Sequence, residues 1–325
     1  MRVTIKNKIM KVKYSNFVSL YHKTKRFGFY IPFTNFLLVH CAKILPARFL
    51  DKISLSRNQL IENKIRSIVG KVDVKEDQLV ANGKPIIWMV WFSGEENLPP
   101  LQRMCVESVK RNANGHEVIM ISLQNYKKYI EIPPKILELF HSGILNPANL
   151  ADVIRIRLLS KYGGFWIDST VYVTQPISES IFSKKLFSLK QRKEWYYVSE
   201  CRWTGFCFYM NKSSLLPHLV DAMLMRYWEK ETWIIDYFLF DYLIDIAMKD
   251  YPSVKKEVED INYTNPEMNR LCSKLCDKFQ QQDWESLTKE TSFFKLSWKV
   301  FSYDQLLADK ENYYHFLQKN IGFNI

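Results

Sequence analysis

The stretch from residue 151 to residue 176, ADVIRIRLLSKYGGFWIDSTVYVTQP, constrains the fold more than any other part of the chain. Pro147 and Asn149 favour the start of a helix just before it, and Gly163 is suited to closing that helix in the left-handed backbone region. The apolar residues of the helical part have the spacing of one helix face: Leu150, Val153, Ile154 and Leu158. A Gly-Gly pair then leads into residues 165–173, whose apolar and β-branched side chains predict a buried strand.

Strands and helices alternate on both sides of this stretch. Residues 86–92 (IIWMVWF) form a continuous apolar run between Pro85 and Gly94, which is typical of a strand buried on both faces. Further strands are expected at 117–122 and 203–210, and helices at 58–70, 99–112, 133–142 and 148–161. Residues 214–249 have a helical pattern that is rich in aromatic side chains. The alternation predicts an α/β domain with a largely parallel sheet that helices cover on both faces.

The net charge of +12 is confined to the first part of the chain. Residues 1–70 hold 14 Lys and Arg against Asp51 and Glu62, whereas residues 71–325 hold 32 basic and 32 acidic residues. We therefore divide the chain into a basic helical segment, 1–79, and an α/β domain, 80–325. Nucleic-acid binding requires a basic surface on the body of a protein, so the balanced charge of the α/β domain speaks against nucleic acid as a partner.

The N-terminal segment contains an uncharged run of 16 residues, 27–42, between basic residues. The run is shorter than the roughly 20 apolar residues that a membrane span requires. Two hypotheses stay open: residues 1–50 lie on an anionic membrane surface, or the segment is a helical subdomain that packs on the body.

The cysteines and the absence of a secretory signal predict a cytoplasmic protein. The six cysteines are scattered, without a C-x-x-C pair or the cysteine–histidine spacing of a zinc site. We therefore expect free thiols in a reducing cytoplasm. Under the membrane hypothesis, the protein is peripheral on the inner face of the plasma membrane.

Three charged residues of the 151–176 stretch are candidates for ligand binding. Asp152 and Arg155 are neighbours on one helix surface, and Asp168 lies in an apolar strand, where an unpaired carboxylate costs free energy. Ligands collect at the carboxyl ends of parallel strands, so we expect the three to meet there. A guanidinium suits phosphate oxygens and carboxylates suit sugar hydroxyls or a divalent cation, which predicts a site for a diphosphate-linked sugar. The alternatives are an exposed helix ion pair for Asp152 and Arg155 and a strand-end cap for Asp168.

At these residues the sequence resembles the capsular polysaccharide synthesis glycosyltransferases, which are related to the DXD-motif sugar transferases. The resemblance extends from about Ile86 to Lys299 and is carried by A-D-x-x-R, followed by Y-G-G-x-W-x-D-x-T. It implies a GT-A-like fold, with a Rossmann-type mixed sheet flanked by helices. It also implies that a hexose or N-acetylhexosamine passes from a nucleotide-diphosphate sugar, with retention of configuration, to a bacterial surface polysaccharide or a lipid-linked glycan.

The resemblance assigns roles to individual residues of the donor site. Asp152 and Arg155 match catalytic positions that bind the donor sugar and its phosphate, and Asp168 matches the first acid of the DXD motif. Trp91 matches an aromatic residue that stacks on the base. Trp88 faces the other side of the same strand, so at least one of the two tryptophans is expected in the core.

Further donor-binding roles and the metal site follow from the same resemblance. Lys295, Ser297 and Trp298 match a loop that closes over the diphosphate. Thr170 stands where related enzymes have a second acid that binds the metal. The divalent cation, Mn²⁺ or Mg²⁺, is therefore expected on Asp168, with Thr170 as a weak ligand at most.

Two alternative functions and a possible role for two further acids also follow from the sequence. The chain could be a non-catalytic membrane scaffold of a glycan-assembly complex or, against the charge distribution, a basic nucleic-acid-binding protein. Asp236 and Asp241 could serve the acceptor side of an active site, but their helical surroundings favour a solvated helix face.

Overall fold

The structure is a computed structural model that describes residues 20–41, 44–74, 83–191 and 198–322. Residues 1–19 lie outside the described residues, and with them five of the basic residues of the N-terminal segment. The first part of the segment predicted to contact a membrane, 1–50, thus lies outside the described residues.

A five-stranded mixed sheet forms the centre of the fold. In spatial order its strands are β2 (Glu117–Ile121), β1 (Ile86–Val90), β3 (Gly164–Ile167), β6 (Cys207–Met210) and β5 (Leu186–Ser188). β1 pairs in parallel with β2 and β3, whereas β6 runs antiparallel to both β3 and β5. The predicted α/β class, with a Rossmann-type mixed sheet flanked by helices, is confirmed. The largely parallel sheet expected from the alternation of strands and helices is wrong, because two of the four strand pairs are antiparallel.

The helices that the sequence pattern predicts before residue 250 are present within a larger set. The set comprises α1 (Tyr30–His40), α2 (Ala47–Val69), α3 (Pro100–Arg111), α4 (Pro134–His141), α5 (Pro147–Tyr162), α6 (Glu179–Phe182), α7 (Leu215–Lys230), α8 (Leu239–Asp250), α9 (Pro252–Glu259), α10 (Arg270–Lys274), α11 (Gln281–Thr288), α12 (Tyr303–Leu307) and α13 (Tyr313–Asn320). Residues 20–27 are also helical. The helical pattern at 214–249 corresponds to two helices, α7 and α8, with a break at residues 231–238.

The alternation of side chains along β1 divides the core between the two faces of the sheet. Ile87 and Met89 pack on one face, and Trp88 packs on the other against the large helical core. Trp88 is fully buried, and its indole N–H donates to the carbonyl of Gly163 at 2.9 Å. That bond satisfies the polar group of this side chain.

The strand predicted over residues 165–173 is interrupted, and that part of the prediction is wrong. β3 ends at Ile167, and a turn follows in which the carbonyl of Asp168 accepts from the N–H of Val171 at 2.9 Å. The chain then enters β4 (Val171–Val173), which pairs antiparallel with β7 (Phe293–Lys295) in a separate two-stranded sheet. The turn carries the polar residues 168–170 away from the apolar centre of the main sheet.

The N-terminal helices pack on the body of the protein. α2 buries Ile61 and Ile65 in the same core as residues of α7 and α8. Two ion pairs add to this contact: Arg57 with Asp236, and Arg26 with Glu231.

One face of the N-terminal helices remains exposed and apolar. Phe33 and Phe36 of α1, and Phe29 just before it, are 43%, 56% and 67% exposed. Over the described ranges, no helix combines the length and the apolar character that crossing a bilayer requires.

We expect Gly164→Ala to lower the free energy of unfolding by at least about 2 kcal/mol. Gly164 has a φ of +113°, and a Cβ there would collide with the carbonyl oxygen of Ile86 and lie 2.9 Å from Trp88 Nε1. Urea unfolding measures the loss, with Gly83→Ala as the control because a Cβ at Gly83 meets no atom within 4 Å. Equal stability of the two variants would contradict the expectation.

Candidate active site

The candidate site lies at the carboxyl end of β3. Asp168 is the first residue after this strand, and its N–H donates to the carbonyl of Phe206 at 2.9 Å. The turn that follows directs the chain out of the sheet. Asp168 thus occupies the edge at which open α/β sheets bind their ligands.

Helix α5 brings Asp152 and Arg155 to the same edge. Pro147 occupies its first turn, and the side chain of Asn146 caps it by accepting from Asn149 N at 2.9 Å. Arg155 Nη1 donates to Asp152 Oδ1 at 3.0 Å, and Arg155 Nη2 lies 3.5 Å from Asp168 Oδ1. The structure therefore brings together the three charged residues that the sequence singles out.

Lys295 reaches Asp168 from the small sheet. The register of β4 and β7 places Lys295 opposite Val171. Lys295 Nζ lies 2.7 Å from Asp168 Oδ2 and 2.8 Å from Thr170 Oγ1. Thr170 and Lys295, both predicted in the donor site, thus lie together beside Asp168.

Aromatic rings hold the Arg155 guanidinium in place. Its Cζ lies 4.8 Å from the centre of the Trp166 ring and 5.0 Å from that of Phe240. Gly205 lies against it, because a Cβ there would be 3.1 Å from Arg155 Nη1. Arg155 Nε is buried and has no hydrogen-bond partner among the described residues. The head group is therefore fixed in direction, a condition for binding a phosphate in one geometry.

Asp152, Arg155, Asp168 and Lys295 line a pocket of about 290 Å³, which we call the donor pocket. Its far wall consists of Tyr237, Phe238 and Phe240, together with Asp241 of α8. Asp241 Oδ1 accepts from the indole N–H of Trp203 at 2.8 Å. The pocket is thus bounded by charged residues on the β3 side and largely by aromatic rings on the α8 side.

The solvated helix face expected for Asp236 and Asp241 is wrong. Asp236 is buried against Arg57, and Asp241 lines the donor pocket. A single helix over 214–249 would place both residues on an outer face. The chain instead leaves the helix at residues 231–238, and both side chains face inward. Sequence reasoning also missed Trp203, because the sequence around it, R-W-T-G, forms no recognisable motif.

Four of the predicted donor-binding residues do not line this pocket: Thr170, which lies beside it in contact with Lys295, and Trp91, Ser297 and Trp298. Trp91 donates its indole N–H to the carbonyl of Asn97 at 3.2 Å and packs against the core. Ser297 accepts from the N–H of Lys299, and Trp298 is 60% exposed. Base stacking and loop closure by these residues stay predictions.

A comparison with models of protein families gives a match over most of the chain. A family model described as capsular polysaccharide synthesis protein matches residues 46–317, which include the main sheet and every residue of the donor pocket. The chain belongs to this family. The resemblance that residues 151–170 carry is confirmed, and membership indicates a role in capsule biosynthesis. No curated protein matches the chain.

Burial shifts the titration of two acids in this capsular polysaccharide synthesis protein. Burial raises the pKa of Asp152 to about 7, with Arg155 opposing the shift and Asp241 adding to it. Burial likewise raises the pKa of Asp241 to about 6. Both side chains therefore take up protons near neutral pH, where an exposed aspartate would be ionised.

Asp168 behaves in the opposite way. Burial acts to raise its pKa, but the ammonium of Lys295 and the guanidinium of Arg155 outweigh burial and hold the pKa below its usual value. Asp168 is therefore an ionised carboxylate between two cations at neutral pH.

The oxygens of Asp168 and Thr170 are poorly disposed for a divalent cation. Asp168 Oδ1 accepts from Trp166 Nε1 at 2.8 Å, and Lys295 Nζ occupies the position between Asp168 Oδ2 and Thr170 Oγ1. Among the described residues no group of three or more His, Cys, Asp and Glu side chains is arranged to hold a metal. A cation would have to displace Lys295, so the residues present do not fit one in this arrangement.

Asp152→Asn should flatten the pH dependence of stability between about pH 4 and about pH 7. In this window the folded protein retains a proton on Asp152, whereas an unfolded aspartate, with a pKa of about 3.9, has released it. The contribution of Asp152 to the free energy of unfolding therefore falls as the pH rises, and the variant lacks this contribution. Urea unfolding from about pH 4 to about pH 8 measures both slopes.

The matched control is Asp51→Asn, at an exposed aspartate of α2. It should leave the slope of the wild type unchanged. Identical slopes for Asp152→Asn and the wild type would show that Asp152 is ionised throughout this range.

Proposed function

We propose that this protein is a retaining hexosyltransferase that uses a nucleotide-diphosphate sugar. The observation that carries the proposal is the convergence of Arg155 and Lys295 on Asp168 at the carboxyl edge of β3, within the donor pocket. Membership in the capsular polysaccharide synthesis family supports a capsule glycan as the product. The donor is a hexose or an N-acetylhexosamine, and the acceptor is a surface polysaccharide or a lipid-linked glycan.

In this proposal the two cations bind the donor diphosphate. Arg155 has a buried Nε without a partner among the described residues, and its guanidinium can present two parallel N–H groups to phosphate oxygens. Lys295 adds a point charge on the other side of Asp168. Asp152 and Asp168 accept hydrogen bonds from hydroxyls of the donor.

The reaction exchanges one bond of the anomeric carbon for another. The bond from this carbon to the phosphate oxygen breaks, a bond to the acceptor hydroxyl oxygen forms, and the hydroxyl proton leaves with the nucleoside diphosphate. Negative charge develops on the departing diphosphate, where Arg155 and Lys295 offset it without having to reorganise. We assign no enzymic nucleophile.

The cellular setting is part of the proposal. The enzyme acts on the cytoplasmic side, peripheral to the inner face of the plasma membrane. The exposed apolar face of α1 supports this position, because large apolar side chains on a surface mark an interaction site.

Donor binding should stabilise the folded protein, and Asp168→Asn should abolish the effect. A ligand at about 100 times its Kd adds about 2.7 kcal/mol to the free energy of unfolding, which raises Tm by several degrees. A panel of nucleotide sugars, measured by thermal shift, identifies the donor. Release of nucleoside diphosphate then measures turnover and distinguishes an enzyme from a scaffold.

Asp221→Asn is the matched control for that panel. Asp221 of α7 pairs at 3.0 Å with Arg157, which lies on α5 as Arg155 does. Asp221 itself lies outside the donor pocket. Its variant should keep the donor-dependent shift. Absence of any shift or turnover in the wild type, with Mn²⁺ present, would favour the non-catalytic scaffold.

Donor stabilisation should persist in EDTA. Lys295 already places a positive charge between Asp168 and Thr170, where the family resemblance predicts a cation. Thr170→Asp adds a second carboxylate and should make stabilisation depend on Mn²⁺. Loss of the wild-type shift in EDTA and its recovery with Mn²⁺ would show instead that a cation displaces Lys295.

A further inference from the structure

A second cavity of about 490 Å³ adjoins the donor pocket; we call it the N-terminal cavity. It lies between the N-terminal helices and the segment that precedes α8. Tyr237 and Phe238 line both spaces, so the same two residues border the donor pocket on one side and the N-terminal cavity on the other. A ligand in this cavity could therefore extend one end past these residues to the donor.

Arg57 and Asp236 form a neutral pair in the wall of this cavity. Arg57 Nη2 donates to Asp236 Oδ2, and the backbone N–H of Phe238 donates to Asp236 Oδ1 at 2.9 Å. Both carboxylate oxygens of Asp236 are thus engaged. Arg57 is 6% exposed, and its buried Nε has no hydrogen-bond partner among the described residues. This buried N–H is a donor without an acceptor, a feature that calls for an explanation.

Lys23 gives the N-terminal cavity an uncompensated positive charge. It lines the cavity, and no hydrogen bond or ion pair joins it to any described residue. Burial lowers its pKa, and the attraction of Asp236 opposes this shift. Because Arg57 and Asp236 neutralise each other, the charge that remains in the cavity is that of Lys23. The cavity thus favours an anion.

An apolar groove continues the N-terminal cavity toward the outside. The groove has a volume of about 420 Å³, and Phe29, Phe33 and Phe36 line it. It shares Leu20 and Pro32 with the N-terminal cavity. The donor pocket, the N-terminal cavity and the groove are therefore neighbours in this order, with shared lining residues between each pair.

We propose that the N-terminal cavity binds the phosphate of a lipid-linked acceptor, whose apolar chain lies in the groove. Lys23 and Arg57 bind the phosphate, and the sugar that the phosphate carries extends past Tyr237 to the donor pocket. The identity of the ligand as an acceptor rests on the proposed function, but binding of the lipid phosphate does not require the donor.

Isothermal titration calorimetry of the full chain with three small ligands tests the recognition. Decyl phosphate has a phosphate group and an apolar chain. Methyl phosphate lacks the chain, and decyl maltoside lacks the charge. We expect decyl phosphate to bind at least about a hundredfold more tightly than methyl phosphate, because burial of several methylene groups adds affinity. Decyl maltoside should bind more weakly than decyl phosphate. Equal affinity for both phosphates would overturn the role of the groove.

Variants of two lysines test the charge. Lys23→Ala should lower the affinity for decyl phosphate about tenfold, and Lys23→Arg should retain most of the affinity of the wild type. Lys25→Ala is the matched control, since Lys25 is exposed two residues further along the same helix and lies outside the cavity. Equal losses in the Lys23→Ala and Lys25→Ala variants would indicate attraction to a general basic surface and would overturn the site.

Variants of two phenylalanines test the groove. Phe33→Ser should reduce affinity for decyl phosphate but not for methyl phosphate. Phe49→Ser should change neither, because Phe49 is exposed to a similar extent, 48% against 43%, but lies outside the groove. Unchanged binding of decyl phosphate by the Phe33→Ser variant would overturn the proposed position of the chain.

Asp168→Asn separates this proposal from the proposed function. The variant should lose donor binding and retain binding of decyl phosphate with the affinity of the wild type. If the wild type binds decyl phosphate through Lys23 but turns over no nucleotide sugar, the transferase proposal fails while the lipid site stands. Turnover without any binding of decyl phosphate would overturn the lipid site alone.

Discussion

The structure of the donor pocket depends on one buried guanidinium. Arg155 lies between the rings of Trp166 and Phe240 and faces the carboxylates of Asp152 and Asp168. A buried charge without its partners costs several kcal/mol, so the acids and the arginine require one another. The same contacts join α5, β3 and α8, and the pocket therefore owes its shape to an electrostatic requirement as well as to packing.

Much of the fold could be predicted because it depends on local patterns. The apolar run of β1, the helix α5 with its proline start and glycine end, and the Gly-Gly passage into β3 all carry their signals within a few residues. The interruption after Ile167 coincides with three consecutive polar residues, 168–170, but no local signal shows that the apolar residues 171–173 leave the main sheet. Pairing with β7, more than one hundred residues later, decides where that strand belongs.

The candidate site divides in the same way. Asp152, Arg155 and Asp168 could be found because they lie within one short stretch, whereas Asp241 comes from a distant helix. Its orientation depends on the break at residues 231–238, and helical periodicity gives no information about such a break. Trp91 shows a different limit of sequence reasoning: an aromatic residue at the end of a strand can stack on a base or close its own turn, and its indole N–H here donates to the carbonyl of Asn97.

The small sheet has a consequence for the C-terminal part of the chain. Lys295 belongs to β7, which pairs with β4. The hydroxyl of Tyr172 in β4 donates to the carbonyl of Leu317 in α13 at 3.2 Å. Phe294, Tyr314 and Leu317 share one apolar cluster with that tyrosine. A truncation or an unfolding event confined to the last helix would thus loosen the support of the lysine and leave the acids of α5 and β3 in place. A change near the C-terminal end would thus act like the removal of the Lys295 charge beside Asp168.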